Sequence, residues 1–478
     1  MTIRSAWRLG WMGVLHHVAA AVMLASLMWF LEGRHVLEWL DGAMLRVTGS
    51  NTPSELQAQD PGLKARPSII DIDGNAYRSV FGERSPLDRG RLQELLLSLP
   101  LDAGKVLAID IDLSPAVHEG VAVARPLDQL LDRLARSGMA VVLVLPDPSD
   151  DNRNLGWIRA RCDAGIYFAS AAITERMGAV TRVDANLPTL AAVALSLARD
   201  REAGPRLHAA TTAQHEDGLP GQLCRRAAHV SGEYALFNAA REPSHHDGHA
   251  PTLPLHPMAA AMRYLTPTVS DIALTGGRAG LSDAATLQPV IFLGGSYDIH
   301  DTFRTVEGAM PGLYVHAASF TSLRMQTAQV GHFGMFLADI VLGFLLGWLF
   351  GGMWNLFGRA DRRASAALQQ PAAVGAPIAT FLASRLMLLL FWMVPVAIAA
   401  GFAAASHSLL VAGWWANPGP VILGMFLHAM SLRHTHEHHD KDSDTRPFWR
   451  KVLSAHPDTV LVQLPLAVLL LAAVAFFH

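Results

Sequence analysis

Five apolar stretches mark the chain, at Trp11 to Leu31, Phe333 to Met353, Ile378 to Gly401, Leu409 to Met430 and Thr459 to Phe477. A helix advances about 1.5 Å per residue, so about 20 apolar residues suffice to cross the hydrocarbon of a bilayer. The pattern predicts five membrane-spanning helices. The first follows Arg4 and Arg8 as a secretory signal would. Its apolar run is longer than a signal core, and no small-x-small cleavage site precedes Glu32 convincingly, so it is read as a retained anchor.

From Pro67 the texture changes to short apolar runs alternating with helical patterns. "SIIDID", "KVLAIDID" and "MAVVLVLPD" predict strands. Leu92, Leu95, Leu96 and Leu99 repeat at i, i+3, i+4, i+7, and Leu127, Leu130, Leu131 and Leu134 mark a second amphipathic helix. Ser85 before Pro86, with Asp88 in the first turn, predicts the N-cap of the first helix. Strands without polar alternation, separated by helices, predict a mostly parallel sheet with helices on both faces. Further on, "PVIFLGG" reads as the final core strand and "SYDIHDTFRTVEGAMPG" as a long loop over the domain edge. "LYVHAASFTSLRM" reads as a terminal helix feeding the second apolar stretch, its start fixed by a Pro311-Gly312 turn. Residues between Arg201 and Cys224, and between Arg241 and Thr252, are rich in His, Gly, Pro and charge and read as surface loops.

The expected fold class is an α/β domain joined to an α-helical transmembrane bundle. It divides into an N-terminal anchor at 1–32, a folded external domain at 33–330, three spans at 331–431, a His-rich loop at 432–458 and a fifth span at 459–478. A content of 51% hydrophobic and 17% charged residues excludes an ordinary soluble enzyme. A net charge of -3 offers no broad basic surface, which excludes nucleic acid as a partner expected from charge. Lysine and arginine are held on the cytoplasmic side of a membrane. Arg4 and Arg8, then Arg359, Arg362 and Arg363, then Arg433, Lys441, Arg446, Arg450 and Lys451 fall on one side under strict alternation. Residues 33–330 then face the opposite side, the periplasm in bacteria.

Each predicted strand ends in acids: Asp71 and Asp73, Asp110 and Asp112, then Asp147 with Asp150 and Asp151. In open α/β sheets ligands sit in the crevice beyond the carboxyl ends of the strands, which makes these acids candidates for a polar or cationic ligand. Aspartate also begins loops and caps helices well, and that role competes with the first. Cys162 and Cys224 both lie in the external segment, where an oxidising compartment permits a disulfide; two free buried thiols are the alternative.

"IIDIDGNAYRSV", "SPLDRGRLQELLLSLPLDAGKVLAIDIDLS" and "VIFLGGSYDIHDTFRTVEGAMPGLYVHAASFTSL" resemble the second type of CHASE domain, an extracellular sensor module of bacterial membrane receptors. Gly294, Asp301, Thr305, Pro311, Gly312, His316 and Ala317 carry the most specific part of the likeness. "GAVTRVD" with Arg182 and "EYALFNAA" with Asn238 are weaker matches. The resemblance spans most of residues 65–325 and implies a periplasmic sensor domain followed by membrane helices, with "GWWANPGP" leading into the last of them. Asp301 and His316 join the ligand candidates, against loop anchoring for the aspartate and packing for the histidine. In such receptors a cyclase, kinase or similar output follows. After Met430 this sequence shows no Gly-rich phosphate loop, histidine-kinase box or paired-metal cyclase carboxylates.

"RHTHEHHDKDSD" places His434, His436, His438 and His439 beside acids, a set suited to zinc, nickel or copper, with a solvated loop that binds metal incidentally as the bland reading. The spans hold only scattered polar residues, His16, His17, Asp339 and Arg385, without the paired Asp/His spacing of a transport site. The leading expectation is a non-catalytic inner-membrane sensor subunit, multi-pass, with its N-terminus in the cytoplasm. It needs no cofactor, and its partners are the lipid bilayer, a periplasmic ligand or protein, and a separate output protein. Sensors of this layout often act as dimers, so the resemblance implies a homodimer. The competing readings are a constitutive scaffold of an envelope assembly and, behind it, a metal transporter.

Overall fold

The computed structural model describes residues 67–325 apart from 116–120, 176–179, 181, 185–186, 203–218, 242–251, 255–286 and 306–307. It also describes shorter segments within 18–45, 328–349 and 393–423. Two units result, one of Met1–Ala43, Gly331–Phe402 and Pro418–His478, the other of Met44–Val330 with Ala403–Asn417.

The second unit is built on five parallel strands in the order β1-β7-β2-β3-β4: β1 Ser68–Ile72, β2 Val106–Asp110, β3 Ala140–Val144, β4 Tyr167–Ala169 and β7 Val290–Gly295. Their Val, Ile and Leu runs are buried on both sides, as a parallel sheet covered by helices requires. One face packs Ile70, Leu107, Leu143 and Leu293 against helices α2 Arg89–Ser98, α3 Val121–Arg136, α4 Arg153–Asp163, α6 Gln222–His229 and α7 Glu233–Arg241. The other packs Ile69, Ala108, Val142 and Phe292 against α5 Leu190–Glu202 and α8 Gly312–Met325. The short helix α1 Gly74–Ser79 follows β1 directly. Strand β7 enters the sheet between β1 and β2, so the last core strand closes the middle of the sheet rather than an edge.

Five local features differ from the sequence expectations, lie beyond them or decide between alternatives they left open. The N-cap of α2 is Asp88, not Ser85: its carboxylate accepts from the backbone N–H of Gly90 at 2.9 Å and Arg91 at 3.1 Å, occupying the orphan donors of the first turn. The loop after β7 contains an antiparallel hairpin, β8 Thr302–Thr305 with β9 Gly308–Pro311, because "TFRT" carries β-favouring residues and Gly308 takes the left-handed turn at φ 106°. The fourth apolar stretch is broken at β11, Trp414–Trp415, which pairs with β10, Ala328–Gln329, inside the second unit, and Trp415 is fully buried. Strands β5 Arg182–Asp184 and β6 Thr252–Pro254 form a further antiparallel pair, and β5 carries the Arg182 of "GAVTRVD". Cys162 at the end of α4 is bonded to Cys224 in α6, across 62 residues of sequence.

In the first unit, helical residues 21–31 and 334–346 meet where the rings of Trp29 and Phe336 lie 6.0 Å apart and where a Cβ on Gly343 would stand 3.3 Å from the Ala21 Cβ. Leu346 packs with Leu342, Ile398 and Phe402. Met23, Leu27, Trp29, Phe30, Leu337, Val341 and Leu345 point outward, Met23 with 67% of its surface exposed. Among the described residues no helix is long and apolar enough to cross a membrane. The predicted span Thr459 to Phe477, most of Ile378 to Gly401 and the segment with His434, His436, His438 and His439 lie outside the described residues.

Candidate functional site

Strand alternation points Asp71 and Asp110 to the same face of the sheet, and the register sets both opposite Gly294 of the strand between them. An acid, a glycine and an acid thus form a row across β1, β7 and β2 under the first turns of α8. The glycine is required by close approach: a Cβ there would meet Leu313 Cδ1 at 2.8 Å and Asp110 Cβ at 3.0 Å. Asp71 is 3% exposed, and its Oδ2 accepts from Ser296 Oγ at 2.7 Å and Tyr314 OH at 3.0 Å, while Oδ1 has no hydrogen-bond partner among the described residues. Burial pushes its carboxyl above the usual range, against the pull of those two hydroxyls. Asp110 is likewise pushed up by burial and drawn back by His316, whose Nε2 lies 3.8 Å from Asp110 Oδ1.

Asp301, in the turn before β8, brings its carboxylate against the start of α8. Its backbone carbonyl accepts from the Gly312 N–H at 2.9 Å, and a Cβ on Gly312 would fall 2.6 Å from Asp301 Oδ1. Burial, then the charges of Asp110 and Asp298, raise its pKa to about 6, with the Gly312 amide opposing. Tyr297 folds its ring over Gly295 and stacks on Tyr77 at 4.2 Å and 5° between planes. Its hydroxyl is held above the usual range by burial first, then by Tyr77, Asp298, Asp301 and Asp110, so this corner of the domain carries a negative field.

A cleft of about 830 Å³ opens beside this corner, between the segments that follow β2 and β3. Asp112 forms one wall; Asp147, Asp150 and Asp151 form the other, and Tyr297 reaches it from β7. The second wall is pinned from a distance. Glu233, at the start of α7 and 4% exposed, accepts from Ser149 N at 2.6 Å and Ser149 Oγ at 3.0 Å through one oxygen. Through the other it accepts from Asn154 N at 2.6 Å and Leu155 N at 3.0 Å, caps that α4 lacks from its own N-cap side chain. Asn152 returns the contact by accepting from Glu233 N at 2.8 Å.

The family comparison is decided by extent: the sequence pattern of the CHASE2 domain matches residues 22–354, more than half of the chain. The chain belongs to the CHASE2 family. Comparison with curated proteins and with solved structures finds no match. CHASE2 domains are extracellular sensor modules and not catalytic ones, and the expected resemblance is thereby shown.

Within this CHASE2 domain the acids chosen from sequence divide into two sets. Asp71, Asp110, Asp301 and His316 gather under and beside α8. Asp73 instead caps α1 through bonds from Asn75 N at 3.1 Å and Ala76 N at 2.7 Å, and Asp112 accepts from Ser114 N at 2.7 Å while facing the cleft. Asp151 is held below the usual carboxylate range by the Ser149 hydroxyl and by Arg153. Among the described residues no group of three His, Cys, Asp or Glu is placed to hold a metal ion. Sequence reasoning missed Tyr77, Tyr297, Tyr314 and Glu233. The only local sign was "SYD" directly after the glycine pair of β7; nothing near Glu233 announces its partner loop 84 residues away.

Proposed function

We propose that this CHASE2 chain is a non-catalytic inner-membrane receptor subunit. Its α/β domain lies in the periplasm and binds a ligand or an envelope partner, and its helices relay the event to a separate output protein, with the chain acting as a homodimer. The observation that carries the reading is the seat of α8. Its first turns rest on Asp110, Asp301 and Gly294 at the site, and its sequence runs on toward the apolar stretch beginning at Phe333. Two further observations support it. The outward apolar side chains of residues 21–31 and 334–346 suit a lipid surrounding. Pairing of β11 with β10 sets Trp414–Trp415 in the same compact unit as the domain, which suits a connection between the third and fourth spans on the domain's side if the fourth span begins after Trp415 rather than at Leu409.

A small shift suffices for such a relay, because a differential affinity of a few kcal/mol between two states redistributes them strongly. The test uses Ala21→Cys with Gly343→Cys, whose Cβ separation near 3.3 Å is close to that of a disulfide, at about 3.8 Å. Cross-linking rates in cells grown in rich, starved, acidic and high-salt media are expected to differ between conditions. One rate under all of them would remove the relay and leave a constitutive scaffold.

A further inference from the structure

We infer that the seat of α8 is a proton-operated latch: acid holds the helix down on the row of Asp71, Gly294 and Asp110, and the approach to neutrality releases it. This rests on the receptor reading and names its signal. Three carboxyls meet the first turns of α8. Tyr314 donates to Asp71 Oδ2 at 3.0 Å, and His316 sets its Nε2 3.8 Å from Asp110 Oδ1. Asp301 Oδ1 lies where a Cβ on Gly312 would be 2.6 Å away.

These carboxyls are withdrawn from water. Asp71 is buried, and its Oδ1 has neither a donor among the described residues nor solvent surface. The Asp110 side chain is 11% exposed and that of His316 3%. An ionised carboxylate in such a place is penalised, and a proton removes the penalty. Among the described residues no lysine or arginine pairs with any of the three. The groups that act on them from neighbouring elements are Asp73 after β1, Tyr297 and Asp298 after β7, and Tyr77 of α1, stacked on Tyr297. His316 is the one base in this set, and it is an ion partner for Asp110 only when protonated. His300 and Arg304, flanking Asp301 in the chain, are exposed. Strand β5, which also packs on α8, carries Arg182 and Asp184, opposite in sign. Arg199 of α5 meets α8 at its far end, donating to the Leu323 carbonyl at 3.3 Å.

The direction of the response follows from linkage. Burial lifts all three carboxyls above their ordinary range, Asp301 to about 6 from 3.8. With α8 lifted, water reaches them and they return toward the ordinary value. A carboxyl that holds its proton more tightly in the seated state favours that state in acid. For Asp301 the contribution is complete below about pH 4 and is lost as pH rises through about 6. Protons thus have the different affinity for two states that a relay requires of its ligand. At about pH 5 Asp301 alone favours the seated state by roughly tenfold, or about threefold after allowance for solvent screening of this half-buried group.

The test follows amide exchange in the purified full chain between about pH 5 and about pH 7.5, corrected for intrinsic exchange rates. Protection of Gly312–Met325 is expected to fall roughly three- to tenfold across that window while Ala140–Val144 of β3 stays constant. Asp301→Asn, a neutral stand-in for the protonated acid, is expected to remove most of the fall by keeping α8 protected at the upper pH. A merely structural role would lower protection at every pH and leave the profile's shape alone. A flat α8 profile, an equal fall at β3, or a response kept whole by Asp301→Asn would each overturn the inference. Infrared difference spectra of the parent chain over the same window give a check that needs no variant: the carbonyl band of a protonated carboxyl is expected to vanish at the upper pH, and its absence at both ends would also overturn the latch. The Ala21→Cys, Gly343→Cys cross-link read in the same samples separates the two claims. An α8 response to pH with unchanged cross-linking upholds the latch and counts against the relay; cross-linking that responds to growth medium while α8 is indifferent to pH does the reverse.

Discussion

Replacing Gly294 by alanine tests the seat of α8. An added Cβ would stand 2.8 Å from Leu313 Cδ1, 3.0 Å from Asp110 Cβ and 3.3 Å from the Asp110 carbonyl oxygen, two of the three belonging to strand β2 and the last to its backbone. Neither strand nor helix can retreat without disturbing the Asp71 and His316 contacts, so the substitution acts as overpacking and costs about 1–3 kcal/mol. For a domain of this size that lowers the melting temperature by roughly 2–12 °C. Gly156, in the middle of α4 with open space where its Cβ would go, supplies a control of opposite sign: alanine there is expected to stabilise by about 0.4–1 kcal/mol. Thermal unfolding of the full-length chain followed by near-ultraviolet circular dichroism compares the two. A Gly294→Ala protein as stable as the parent, or more so, would refute the close approach of α8 to the acid row.

Three other outcomes follow from the geometry. Exchanging Cys162 and Cys224 for serine opens a closure spanning 62 residues and is expected to cost up to about 4 kcal/mol by the loop-entropy relation, measured by urea unfolding. Glu233→Gln turns an amide NH₂ toward donors already lacking another acceptor, whichever way it flips; a loss of roughly 2–3 kcal/mol and faster amide exchange at Asn154 and Leu155 are expected. Asp301, with a folded pKa of about 6 against an ordinary value of 3.8, binds its proton more tightly when folded. Its contribution therefore favours folding below about pH 4 and is lost as pH rises through about 6. Asp301→Asn should remove that decline between pH 4 and 6 in melting curves, and an unchanged slope would deny the raised pKa.

The parallel core was legible because its strands are short unbroken runs of Val, Ile and Leu, and those at Ile69, Leu107 and Val142 all pack between helices. Asp71 and Asp110 were legible as acids at strand ends; their shared row with Gly294 was not, because β7 enters the sheet from 180 residues beyond β2 and its register is a tertiary fact. The hairpin β8–β9 hid in a segment whose Gly, Pro and charges suggest a loop. Trp414–Trp415 read as part of an apolar span because hydropathy does not distinguish a buried tryptophan strand from a lipid-facing helix. Glu233 gave no signal, since a carboxylate that caps a helix far away in sequence looks like any first-turn acid on its own helix.

The claim on which the functional account stands is that the α/β domain is held outside the inner membrane. Ile299, 81% exposed in the turn after β7, gives the most direct test, as the two native cysteines are bonded to each other. With Ile299→Cys in intact spheroplasts, a membrane-impermeant maleimide is expected to label the chain fully before lysis. Labelling that appears only after the membrane is broken would place the domain in the cytoplasm and contradict the receptor reading.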